Sequence, residues 1–133
     1  MAEVLALKKI AEERKYLTGL IEIGEALRAL PEEERPEASL QVRIPEHYCR
    51  VYVANVGRLG YLPPEDAQLV VTFYQYADSV VQDVTEGGII YQGTNDPDTF
   101  AETANILRFA IDIAEKLAVR HTNRRWVRWL GKT

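Results

Sequence analysis

The sequence lacks the features that define several protein classes. It has one cysteine, Cys49, in 133 residues, and a lone cysteine cannot form an internal disulfide, so a cystine-stapled secreted module is excluded. No uncharged apolar run reaches the ~18 residues that a membrane-spanning helix needs, and the first residues lack the basic and apolar regions of a signal peptide. We therefore predict a soluble, cytoplasmic protein.

Proline and glycine are scarce, at 6 and 8 residues, which excludes collagen-like and low-complexity chains. The hydrophobic share of 47% and the charged share of 27% are those of a globular protein. A chain of this length can bury a core without metals or disulfides but is too short for two domains, so residues 1–133 are expected to form one.

Charge of one sign is missing from two parts of the chain. Residues 59–107 contain eight acids and no Lys or Arg, whereas residues 119–133 contain five bases and no acid. The stretch 59–107 therefore carries −8 and the tail 119–133 carries +5 within a chain of net charge −4. Such separation bears on association and partners rather than on fold.

Motifs that carry chemistry are absent as well. Beyond carboxylates, the residues of metal-ligand or nucleophile type are His47, Cys49 and His121, and they form neither a Cys-x-x-Cys nor a His-Glu-x-x-His pattern. The glycine pairs at 57–60 and 87–88 lack the Gly-Lys-Ser/Thr ending of a phosphate-binding loop. We predict that the protein is not an enzyme and has no metal and no cofactor.

What the sequence does have is apolar residues at helical spacing. The pattern predicts an all-α antiparallel bundle of three long helices and one short helix. Prolines mark a connecting surface loop, and an Ile-Ile-Tyr run between glycines is expected to be a short extended piece with no strand to pair with. In chain order these elements are a helix over 2–30, the loop over 31–45, a short helix over 45–56, a helix over 64–84, the extended piece at 89–91 and a helix over 97–129.

The second long helix of the pattern, 64–84, has more apolar surface than one face requires. Residues 67–77 carry no charge, and a helix apolar on more than one side is either central in a bundle or covered by another chain. Tyrosine suits a protein interface because its ring is apolar and its hydroxyl needs a partner. We predict a non-catalytic protein interaction module whose partner is a second copy of itself. The interface candidates are Tyr48, Tyr52, Tyr61, Tyr74 and Tyr76.

A second hypothesis belongs to another class. If the 45–56 and 64–84 helices lie side by side, they can form a pocket between helices for a small ligand or a substrate. Tyr48, Tyr52, Tyr74 and Asp78 would line that pocket.

The basic tail carries a third hypothesis. Arg together with Trp is typical of proteins on anionic membrane surfaces and also of nucleic-acid stacking. We favour a structural role, in which the tryptophans of the tail pack on the bundle while its bases face the stretch 59–107. The first alternative is contact with the inner face of a membrane. Binding of nucleic acid is the least favoured of the three. The candidates for contact with an anionic surface are Arg120, Arg124, Arg125, Trp126, Arg128 and Trp129.

One part of the sequence resembles a loose group of small bacterial and phage proteins of unknown function. The residues that carry the resemblance are Pro45, Tyr52, Asn55, Leu59, Gly60, Leu62, Pro63, Pro64 and Phe73-Tyr74. In that group a membrane-spanning helix precedes a small helical domain, whereas no such helix precedes Ala2 here. The resemblance covers about 30 residues and implies a helical fold, without implying an activity.

Overall fold

The computed structural model describes residues 2–44 and 47–131, with side chains described as far as residue 122. Over those residues the chain forms helices and no β-strand, which confirms the all-α class; one antiparallel bridge pairs Ala38 with Thr94. The helices are α1 (Ala2–Glu13), α2 (Tyr16–Arg28), α3 (Arg50–Asn55), α4 (Pro64–Val84), α5 (Ile89–Gln92) and α6 (Pro97–Gly131).

The two longest helices, α4 and α6, pack against each other and form the centre of the fold. Helix α4 begins with proline at its first position and acids in its first turn, where free N–H groups favour negative charge. The side chain of Asp96 accepts a hydrogen bond from the Asp98 N–H at 2.9 Å and so caps the start of α6. Both helices were predicted from the sequence, and α4 spans the predicted residues 64–84.

The predicted first helix is two helices, so the count of three long helices and one short helix is not confirmed. Lys15 lies between α1 and α2 with a φ of 56°, a left-handed conformation that ends one helix before the next begins. The start of α1, at Val4, packs in one core cluster, whereas its end, at Ala11, packs in the other together with α2. Helix α2 approaches α6 closely at Gly24, where an added Cβ would lie 3.2 Å from the Cβ of Phe100.

The predicted surface loop contains an inward-facing extended segment at residues 37–44. Alternate backbone N–H groups at Ala38, Leu40 and Val42 donate to the carbonyl oxygens of Thr94, Ile90 and Val84 at 2.9, 3.2 and 3.0 Å. The side chain of Val42 is buried in the core. The prediction of a surface loop is wrong at Val42, where these hydrogen bonds satisfy the backbone beside the core, while alternate residues of the segment are exposed.

Two short elements also differ from expectation. Residues 89–91 belong to α5, a single helical turn with Ile90 fully buried, rather than to an extended piece. The predicted short helix is α3, which is followed by a 3-10 helix over Val56–Tyr61. Its expected start, at Pro45, lies outside the described residues.

The core consists of two clusters along the α4–α6 pair. The first is built around Leu20, Ile90, Phe100 and Leu107 from α2, α5 and α6. The second contains Val4 from α1, Phe73 and Tyr74 from α4, and Leu117 from α6. The described buried side-chain nitrogen and oxygen atoms all have hydrogen-bond partners.

Candidate functional site

A cavity of about 760 Å³ lies where the two core clusters meet. This volume falls within the ~300–1,000 Å³ typical of small-molecule sites. Helices α1, α4 and α6 and the extended segment form most of its wall. The apolar lining consists of Leu7, Ile10, Ala11, Val42, Ile44, Phe73, Ala77, Val80, Val81, Leu107, Ala110 and Ile111.

Cationic side chains stand at the rim of this cavity. Lys8 forms ion pairs with Glu12 at 2.8 Å and Glu115 at 3.8 Å. Arg14 donates a hydrogen bond from Nη1 to the hydroxyl oxygen of Tyr16 at 3.2 Å, and both residues line the cavity. The third cation is Arg43.

Among the described residues, no carboxylate forms an ion pair with Arg14 or Arg43 at the rim. One described carboxylate, that of Glu86, lines the same cavity and is exposed. Besides the paired Lys8, the described part of the rim therefore carries two exposed arginines and one exposed carboxylate.

Tyr48 forms part of the wall and is held by Asp78 on α4. Its hydroxyl donates to Oδ1 of Asp78 at 2.9 Å, while Gln82 donates to Oδ2 at 2.9 Å. Burial raises the pKa of the Tyr48 phenol well above its ordinary value near 10, and the hydrogen bond to Asp78 raises it further. The phenol therefore remains a protonated donor at neutral pH.

Glu3 ties α1 to two other helices. Its carboxylate accepts hydrogen bonds from the N–H groups of Val51 at 2.7 Å and Tyr52 at 3.1 Å, at the start of α3, and from the Tyr74 hydroxyl. These N–H groups have no partner within α3, so Glu3 caps that helix from a distance. The contact positions α1, whose other end forms a wall of the cavity.

The ring of Tyr74 is enclosed on the same side. It stacks on Tyr52 with centroids 4.0 Å apart and planes 15° apart, and Phe73 meets it edge-on at 5.1 Å. Burial raises the pKa of the Tyr74 phenol above its ordinary value, and its hydrogen bond to Glu3 acts in the same direction. Tyr52 and Tyr74 thus support the fold around the cavity without lining it.

The pocket expected from the sequence is therefore not the one that the structure contains. Of Tyr48, Tyr52, Tyr74 and Asp78, Tyr48 lines the cavity and the others lie behind its wall.

The remaining tyrosine candidates have different surroundings. Tyr76 is half-buried, with its ring centroid 6.0 Å from that of Phe109, whereas Tyr61 is 89% exposed. Helix α4, whose apolar surface suggested a partner chain, has no large exposed apolar side chain. Its apolar residues are buried or half-buried within this chain.

Arg120 is the one tail candidate whose side chain is described. Its Nε lies 2.5 Å from Oδ1 of the buried Asp66, and its Nη2 lies 3.2 Å from Oε2 of Glu65. The guanidinium thus joins α6 to the first turn of α4 and faces the acidic stretch. The side chains of Arg124, Arg125, Trp126, Arg128 and Trp129 lie outside the described residues.

Two of the metal-ligand candidates, His47 and Cys49, have different surroundings. His47 is exposed, and Cys49 is half-buried against the second core cluster. Within 2–44 and 47–131, no three His, Cys, Asp or Glu side chains come together to hold a metal ion.

No protein-family model matches this chain, and neither the curated proteins nor the solved structures provide a match. The resemblance to small bacterial and phage proteins therefore stays a prediction. Over the part of the chain that the structure describes, no helix has both the length and the apolar character needed to cross a membrane.

Sequence reasoning missed the residues that matter most for the cavity. Arg14 had a signal, because it interrupts the apolar stripe of the first helix. No feature of the sequence marks Arg43 or Glu3, because the role of each depends on elements that are distant in the chain.

Proposed function

We propose that the protein binds a small, largely apolar molecule in the cavity between α1, α4 and α6. The observation that carries the proposal is a space of about 760 Å³ lined mainly by aliphatic and aromatic side chains. The cavity is open to solvent, so its apolar lining contacts water when no ligand is bound. A ligand that fills the cavity removes this apolar surface from water, which favours binding.

A series of straight-chain alcohols tests the proposal by calorimetry. Each additional methylene group removed from water contributes ~0.8 kcal/mol, so the association constant should increase about fourfold per methylene until the chain fills the cavity. Bound alcohol should also raise the melting temperature, because it binds the folded state alone.

The matched variants are Ala77→Leu and Gln75→Leu on the same helix. Ala77 lines the cavity and Gln75 is exposed, so the first substitution should weaken alcohol binding at least tenfold while the second leaves it unchanged. Absence of binding by every alcohol, or equal binding by the two variants, would contradict the proposal.

As a second candidate function, we propose self-association through residues 51–62. Exposed apolar side chains are concentrated there: Val51, Val53, Val56, Tyr61 and Leu62. Arg50 and Arg58 are exposed in the same region, and the acidic stretch 59–107 of a second copy has complementary charge. Exposed apolar groups rimmed by polar ones are typical of protein interfaces.

Light scattering at micromolar concentration tests this candidate. The intact chain should have a mass above 15.1 kDa that increases with concentration, and the double variant Val53→Ser, Tyr61→Ser should be a monomer. Val119→Ser is the control, since Val119 is 59% exposed but lies on α6. A monomeric intact chain, or loss of association in the control alone, would refute it.

A further inference from the structure

We infer that the ligand of the cavity is a single-chain amphipathic anion, such as a fatty acid, whose negative group contacts Arg14 and Arg43. This inference rests on the proposed ligand binding and specifies the class of ligand. It depends on the charged groups of the rim, whereas the proposed function depends on the apolar lining.

Arg14 and Arg43 both line the cavity, and both residues are exposed to solvent. Arg14 lies near the C-terminal end of α1, directly before the turn at Lys15, and the Tyr16 hydroxyl restrains its guanidinium beside the cavity. Arg43 lies on the extended segment, between Val42 and Ile44, which also line the cavity. Two separate elements thus place one arginine each at the same opening.

Arginine is suited to this task because its planar guanidinium can donate two parallel hydrogen bonds to a carboxylate or a phosphate. No described carboxylate forms an ion pair with either arginine. Apart from the Arg14 Nη1 group, which donates to Tyr16, their donors are therefore available to an external anion. An apolar chain in the cavity would bring a terminal anionic group to the rim.

The wall of the cavity also contains other charged groups. Lys8 is paired with Glu12 and Glu115, neither of which lines the cavity. Glu86 opposes an anion and would favour an ammonium group instead. The described lining therefore contains three bases and one carboxylate, and its charge is positive although the chain as a whole is negative.

The experiment compares four probes of equal chain length, each below its micelle concentration: dodecanol, dodecanoate, dodecyl phosphate and dodecyltrimethylammonium. Dodecanoate should bind at least tenfold more tightly than dodecanol at low salt, since charge-assisted hydrogen bonds are about twice as strong as neutral ones. The difference should shrink at high salt because exposed charges are screened. Comparing dodecanoate with dodecyl phosphate distinguishes a free fatty acid from a phosphate-bearing lipid as the source of the anion.

The double variant Arg14→Gln, Arg43→Gln should lose about tenfold in dodecanoate affinity while its dodecanol affinity changes less than twofold. Retained dodecanol binding also shows that the variant is folded. Arg58→Gln, an exposed arginine on the 3-10 helix that does not line the cavity, should leave both affinities unchanged.

The outcomes separate the two claims. If dodecanol binds as tightly as dodecanoate, or the ammonium probe binds most tightly, the inference is wrong while the cavity remains a binding site. An unchanged ratio of the two affinities in the double variant would overturn it too. If no probe binds, the proposed function fails and the inference fails with it.

Discussion

Gly88→Ala is expected to destabilise the protein by about 3 kcal/mol or more, because a side chain there overlaps the backbone. A Cβ at Gly88 would lie 2.1 Å from the carbonyl oxygen of Gln82 and 2.4 Å from that of Asp83. Both atoms belong to the last turns of α4, so relief requires either that helix or the turn leading to α5 to shift. Buried Ile90, two residues later, would lose its packing in either case.

Thermal and urea unfolding measure this effect. A loss of that size is a large part of the free energy of unfolding, which is ~5–15 kcal/mol for a typical domain. Gly60→Ala is the matched control: an added Cβ there meets nothing within 4 Å, and its φ is not positive. We expect that control to differ little from the natural chain. Equal stability of the two variants would show that the close approach at Gly88 is not a constraint.

Glu3→Ala is expected to lower the free energy of unfolding by about 2–4 kcal/mol, because hydrogen bonds to a charged group contribute ~1.5–3 kcal/mol each and are not additive. The change leaves the N–H groups of Val51 and Tyr52 without their acceptor and removes the partner of the Tyr74 hydroxyl. Hydrogen exchange should accelerate most at the amides of Val51 and Tyr52.

Two further variants make this result specific. Glu3→Gln retains an acceptor oxygen without the charge and should recover part of the loss. Glu13→Ala, on the same helix, breaks an exposed pair with Lys9 at 3.7 Å and should cost less than 1 kcal/mol, as surface ion pairs do. If the Glu3 and Glu13 variants are equally stable, Glu3 does not hold α1 in place.

The sequence was a good guide wherever local signals and packing agree. Helices α4 and α6 have apolar residues at helical spacing over many turns, with proline and acidic residues at their starts. Because both helices are long, an error of one or two residues at a predicted end changes the prediction little.

The remaining features depend on contacts that no local pattern encodes. A lysine rarely adopts a left-handed conformation, so nothing at Lys15 indicates that one periodic stretch is two helices. The extended segment 37–44 lies against the core at Val42 because Val84, Ile90 and Thr94 supply acceptors for its backbone N–H groups. The cavity depends on how helices from opposite ends of the sequence pack together. The apolar periodicity of each helix does not indicate such a cavity.

The contacts of Glu3 also set an order of assembly. Its partners follow it by 48, 49 and 71 residues, and Val4 belongs to the same core cluster as Leu117. During synthesis from the N-terminus, α1 is made before α3, α4 and α6 and lacks these packing partners until they have followed. The wall that α1 contributes to the cavity is therefore completed only after those helices have been made.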